Sequence, residues 1–154
     1  MFLEPDEAVE AYKQAVRQDP NDPSLASKLG RAYVKTHQYK KAISYYKDAI
    51  IIPDNYSLKL DLAELYLKLK QYANAEQILI EDIESNQKDV EDLSMLQMRT
   101  KLLLLLARVR ERSGNINSSL TTLKDARDNQ YRIQRRINLD QNSAVREQHK
   151  ILSK

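Results

Sequence analysis

Apolar residues recur along this chain three and four positions apart, the spacing of one face of a helix. Val9, Tyr12 and Val16 stand that way near the start, and Leu29, Tyr33, Leu62 and Tyr66 do so further on. The pattern predicts helices over 5–18, 24–36, 39–52, 56–69 and 72–85, then a lengthened helix over 89–113 and two more over 117–137 and 143–153. That is an all-α chain of eight helices without a sheet. The punctuation agrees. Pro5 falls in a first turn with Asp6, Glu7 and Glu10 at the positive end of the helix. Thr36-His37-Gln38 and Lys70-Gln71 are short turns, and Pro20 and Pro53, lacking an amide hydrogen, end the helices before them. Asp89-Val90-Glu91-Asp92 can cap a helix that Gly114-Asn115 ends, and Asn138–Asn142 reads as a break.

The helices repeat in pairs. Ala8-x3-Tyr12-x2-Ala15 returns as Ala42-x3-Tyr46-x2-Ala49 after 34 residues, and as Ala75-x3-Leu79-x2-Asp82 after a further 33. Leu29-Gly30-x2-Tyr33 returns as Leu62-Ala63-x2-Tyr66. A Leu-Gly-x2-Tyr word, then Ala-x3-aromatic, then Pro at this period resembles the tetratricopeptide repeat, in which each unit is an antiparallel pair of helices, A then B. The resemblance implies a right-handed superhelical solenoid, since no pair buries its apolar face alone and stacked neighbours bury a continuous one. The small residues Gly30, Ala42, Ala63 and Ala75 mark the close approach of A and B, with Tyr33 and Tyr66 expected to fill the space beside them. The units then read as an unpartnered helix B over 5–18, repeats over 23–55 and 56–88, an extended repeat over 89–137, and the start of another helix at 143–153. In the extended repeat Ser119-x3-Leu123-x2-Ala126 keeps the register, but 44 residues after Ala75, so about ten residues are inserted within 85–97. Opening on a helix B, the chain is expected to be a piece of a longer solenoid, and the face of Val9, Tyr12 and Val16 is expected to support weak self-association.

Composition narrows the possibilities. Two glycines and four prolines in 154 residues are too few for a turn-rich β fold, and the absence of cysteine excludes disulfides and thiolate chemistry. The apolar run Leu102–Ala107 is far shorter than the roughly 20 residues needed to span a bilayer, and reads as a helix buried on two sides. Charge is uneven. Residues 1–98 hold 12 Lys+Arg against 17 Asp+Glu, whereas residues 99–154 hold 13 against 5, a basic half that reads first as a solvated helix face and second as a surface for an acidic partner. Catalysis finds no support: His37 and His149 are the only histidines, and no nucleophile, base and acid set or phosphate loop is present. Nucleic-acid binding is disfavoured too, because Tyr12, Tyr33, Tyr46 and Tyr66 serve the repeat and Tyr131–Arg136 holds one aromatic. The expectation is therefore a protein that is no enzyme, with no cofactor, metal, nucleic acid or membrane insertion.

The repeat resemblance also implies a binding groove, lined by helix A positions that face away from helix B. Here these are Ser27, Arg31, Lys35, Leu60, Glu64, Lys68, Leu104, Arg108 and Arg112. One subclass of the family clamps chaperone C-terminal carboxylates with Lys and Asn side chains. Lys101 matches a clamp position, but Ser27, Arg31 and Leu105 replace other members and Asp61 stands where an Asn is required.

Several words are more specific than the repeat. They are Glu4–Tyr12, Leu25–Gly30, Val34–Tyr39, Lys41–Tyr46, Asp61–Tyr72, Leu103–Val109 and Leu123–Arg127. Together they resemble the large tetratricopeptide-repeat subunits of intraflagellar transport complex A. Val34–Tyr39 is the most telling, because the repeat consensus does not dictate it. The resemblance covers residues 4–127 and implies a non-catalytic scaffold for retrograde ciliary transport and cargo entry. It implies partners among the other transport-complex subunits and ciliary cargo proteins, and a place in the cilium and cytoplasm, associated with the cytoskeleton. The alternative is a generic tetratricopeptide adaptor or co-chaperone that binds a short peptide in its groove.

Overall fold

The computed structural model describes residues 4–53, 55–85 and 92–154. These form seven helices and no strand: α1 (Pro5–Gln18), α2 (Pro23–Lys35), α3 (Tyr39–Ala49), α4 (Tyr56–Lys68), α5 (Tyr72–Ser85), α6 (Leu93–Arg112) and α7 (Ile116–Leu152). The chain divides into two compact units, Met1–Ile80 and Glu81–Lys154.

The helix ends follow from local chemistry. At α1, Glu4 and Glu7 form a reciprocal capping box with Pro5 as the first helical residue. At α2, Asp22 Oδ1 accepts from the Ser24 and Leu25 amides at 2.8 and 3.3 Å, with Pro23 next in line. Asp92 caps α6, its side chain accepting from the Met95 amide at 3.4 Å; the cap expected at Asp89 lies outside the described residues. Three helices end in one and the same Schellman turn, at α2, α4 and α6. The Gln38 amide donates to the Tyr33 carbonyl, Gln71 to Tyr66 and Asn115 to Arg110, at 2.9, 2.8 and 2.8 Å. The turn needs a left-handed residue, which is Gly114 at φ 88° in the last case but His37 at 60° and Lys70 at 59° in the others. A side chain there is strained. Lys70→Gly should therefore stabilise the chain by about 1 kcal/mol, read as a raised urea midpoint.

In the first unit α2 is central and packs on α1, α3 and α4, and α3 also packs on α4. Val9, Leu29 and Ala32 form a buried cluster against which the half-buried Tyr12, Val16, Tyr33 and Tyr45 pack. The α1 face expected to drive self-association is thus largely used within the unit: Val9 is 5% exposed. The close approach of α2 and α3 differs in detail from the sequence expectation. The ring over Gly30 belongs to Tyr46, one of the most deeply buried side chains, whereas Tyr33 lies on the cluster facing α1.

In the second unit α6 and α7 pack along each other. Leu102, Leu103, Leu105, Leu106 and Ala107 are buried and Leu104 is not, which fits a helix covered on two sides. On α7 the buried residues Ser119, Thr122, Ala126, Asn129 and Ile133 recur at helical spacing. Polar members fix the register. Ser119 Oγ donates to the Ala107 carbonyl at 2.8 Å, and Asn129 Nδ2 donates to the Leu96 carbonyl at 3.0 Å and to Thr100 Oγ1 at 3.2 Å. Ser119 and Ala126 occupy the buried positions that the repeat register assigns them, but Leu123 between them is exposed.

The break expected at 138–142 is absent. A single α7 of 37 residues joins the helices expected over 117–137 and 143–153. Asn138, Asp140 and Asn142 are weak helix formers, each costing less than about 0.7 kcal/mol, and no Gly or Pro follows Gly114 to stop the helix. At a rise of 1.5 Å per residue α7 is about 55 Å long against about 30 Å for α6. From Asn138 onward every residue is exposed.

Candidate protein-binding surface

Six of the nine expected groove residues lie on α2 and α4 of the first unit. Ser27, Arg31 and Lys35 succeed each other every four residues along α2, and Leu60, Glu64 and Lys68 do so along α4. Arg31, Lys35, Glu64 and Lys68 are exposed and Leu60 is partly so. Lys68 sets its ammonium 5.4 Å from the centre of the Tyr39 ring. Leu104, Arg108 and Arg112 stand exposed at the same spacing on α6 in the second unit.

Ser27 departs from the groove expectation, because it is buried. The reason is Asp61, which enters from α4 with its side chain 5% exposed. Ser27 Oγ donates to Asp61 Oδ2 at 2.5 Å. Arg31 donates to Asp61 Oδ1 from Nε at 3.2 Å and from Nη2 at 2.8 Å. Both carboxylate oxygens are thereby satisfied, as burial demands. The hydrogen bonds from Arg31, with the attraction of opposite charge, raise the guanidinium's pKa above its ordinary value. Tyr46 lies against the same group. Burial pushes its hydroxyl pKa above the ordinary range, and the negative charge of Asp61 adds to that.

The Ser27–Asp61–Arg31 group therefore ties the A helices of successive repeats together. Read as a missing Asn, Asp61 signals only that a carboxylate ligand is unwelcome. In the structure it also consumes Arg31, a charge otherwise available to a ligand. A cue exists in the sequence: helical spacing places Asp61 on one face with Leu58, Leu62 and Leu65, and an arginine and a serine sit 30 and 34 residues before it, about one repeat.

The described residues hold no group of His, Cys, Asp and Glu fit for a metal ion, and no helix among them is long and apolar enough to cross a membrane. His37 lies exposed in its turn, with Nδ1 2.8 Å from the Tyr39 hydroxyl, and Lys101 is exposed on α6.

Packed helix pairs, the buried small residues Ala42, Ala63 and Ala75 and a repeated turn define a helical-repeat protein of the tetratricopeptide class. Residues 25–154 match the family described as "Tetratricopeptide repeat protein 21 forth ARM domain", and residues 4–37 match the tetratricopeptide repeat itself. The chain belongs to the tetratricopeptide repeat protein 21 family. It is 41% identical to human tetratricopeptide repeat protein 21B over 144 residues, covering 94% of this chain, and 44% identical to mouse tetratricopeptide repeat protein 21A over 142 residues, covering 92%. It spans 11% of the length of either relative. Among solved structures, MamA 41-end from Desulfovibrio magneticus RS-1 matches over 82% of this chain and 86% of that one at 15% identity and a TM-score of 0.46, too distant to bear on the argument.

Proposed function

We propose that this chain is a non-catalytic segment of the scaffold of intraflagellar transport complex A, supporting retrograde ciliary transport and the entry of ciliary cargo. Its partners in this reading are other subunits of that complex and ciliary cargo proteins, met in the cilium and the cytoplasm alongside the cytoskeleton. The observation that carries the reading is membership of the tetratricopeptide repeat protein 21 family over residues 25–154. The form of the molecule supports it: exposed polar helix faces rest on apolar helix contacts, a build suited to broad protein surfaces rather than to a reaction centre.

The co-chaperone alternative needs free cationic groups opposite a peptide carboxylate. Lys101 is exposed, but Arg31 is committed to Asp61 and that carboxylate remains. The two readings separate in a paired experiment. The chain is titrated with an acidic chaperone tail peptide and, in parallel, used as bait in extract of ciliated cells. The expected result is no saturable peptide binding, with transport-complex subunits identified on the bait. Micromolar peptide binding that disappears in Lys101→Ala, with no transport subunit retained, would overturn the proposal.

A further inference from the structure

The second unit holds a basic cavity that the groove reading leaves aside. Beside the start of α6, Leu96 meets Arg132, Arg135, Arg136 and Leu139 of α7 around a cavity of about 200 Å³. Its apolar parts are Leu96, which is buried, and Leu139, which is 54% exposed. Three arginines line the cavity with them. Between Arg127 and Asp140 the chain carries four arginines and two aspartates. Both aspartates lie beside arginines at the ends of this stretch, Asp128 at 3.7 Å from Arg127 and Asp140 at 3.5 Å from Arg136. Arg132 and Arg135 have no carboxylate partner among the described residues.

We propose that this cavity docks an acidic segment of a partner protein, with an apolar side chain seated on Leu96 and Leu139 and flanking carboxylates held by Arg132 and Arg135. The proposal deepens the scaffold reading and rests on it. A planar guanidinium fork matches a carboxylate, which gives direction as well as attraction. The size fits an anchoring side chain better than a free small molecule, whose pockets run from about 300 Å³ upward. Nucleic acid fits less well, because the lining offers leucines and no aromatic platform for a base.

The test uses the whole chain and a fluorescent, alanine-based helical peptide that presents Glu, Leu and Glu on one face. A second peptide carries Gln in place of Glu, and a labelled single-stranded RNA is the third probe. The acidic peptide should bind, the Gln peptide should not, and raising the salt should weaken the complex. Arg132→Ala combined with Arg135→Ala should weaken binding roughly tenfold. Leu139→Ser should weaken it too. All three side chains are exposed, so circular dichroism should stay unchanged. Peptide binding that ignores both variants, absence of peptide binding, or RNA bound more tightly through the same arginines would each overturn the proposal. If the double variant retains transport-complex subunits as well as the unaltered chain does, this docking site falls while the scaffold reading stands. If the unaltered chain retains none, the scaffold reading fails on its own account.

Discussion

Gly30→Ala should destabilise the chain by about 2 kcal/mol, although alanine is the better helix former by about 1 kcal/mol. A Cβ at residue 30 would lie 2.2 Å from Cζ of Tyr46 and 2.3 Å from Cε1, well inside any permitted contact. The ring is 1% exposed, so it yields only by pushing α3 away from α2 or leaving its own rotamer. The measurement is a urea melt of four proteins: the unaltered chain, Gly30→Ala, Tyr46→Leu and the double variant. Leucine lacks the offending ring atoms. In the Tyr46→Leu background Gly30→Ala should turn neutral or stabilising as helix propensity reasserts itself. A Gly30→Ala penalty of equal size in both backgrounds would show that the ring is not what keeps residue 30 small.

Arg31→Met should cost about 2 kcal/mol, and more than Asp61→Asn. The asymmetry comes from burial. Arg31 has a side chain 65% exposed and can turn its charge to water, while the Asp61 side chain is 5% exposed and cannot. Removing the arginine strands a buried carboxylate with one hydroxyl for a partner. The loss stays below the 3–5 kcal/mol typical of broken buried pairs because the guanidinium is largely solvated. Combining Arg31→Met with Asp61→Asn should recover part of the loss, since no buried charge then remains. Thermal melts of the single and double variants decide the matter. Strict additivity would mean that the two groups do not hold α2 and α4 together.

These two contacts also show where sequence reading reaches its limit. The ends of α1 to α5 to within a few residues, and the buried small residues Ala42, Ala63 and Ala75, follow from a 33- to 34-residue period that local chemistry repeats. Which ring covers Gly30 does not follow, because Tyr33 and Tyr46 are both aromatic, both in register and both near the small residue. Only the azimuth of α3 against α2 selects Tyr46. Position 61 misleads for a related reason. In a single sequence a carboxylate amid leucines can be a defect in a ligand clamp or half of a buried pair, and the choice depends on whether Arg31 reaches it across two helices. Hence Arg31, Lys35, Glu64 and Lys68 are exposed on α2 and α4, while Ser27 lies in the interior. At α7 the error is one of degree. Three weak helix formers within five residues resemble a stop, yet without Gly, Pro or a competing cap the sum of small penalties leaves the helix intact.

The proposed role of this chain is to bind other proteins as part of a transport scaffold. It is tested most directly by sedimentation of the purified chain mixed with the other purified subunits of intraflagellar transport complex A, at low and high salt. The chain should move with them at low salt, and high salt should loosen the association where the basic second unit contributes. A chain that sediments alone at every salt concentration, while a full-length family member sediments with the same subunits, would contradict it.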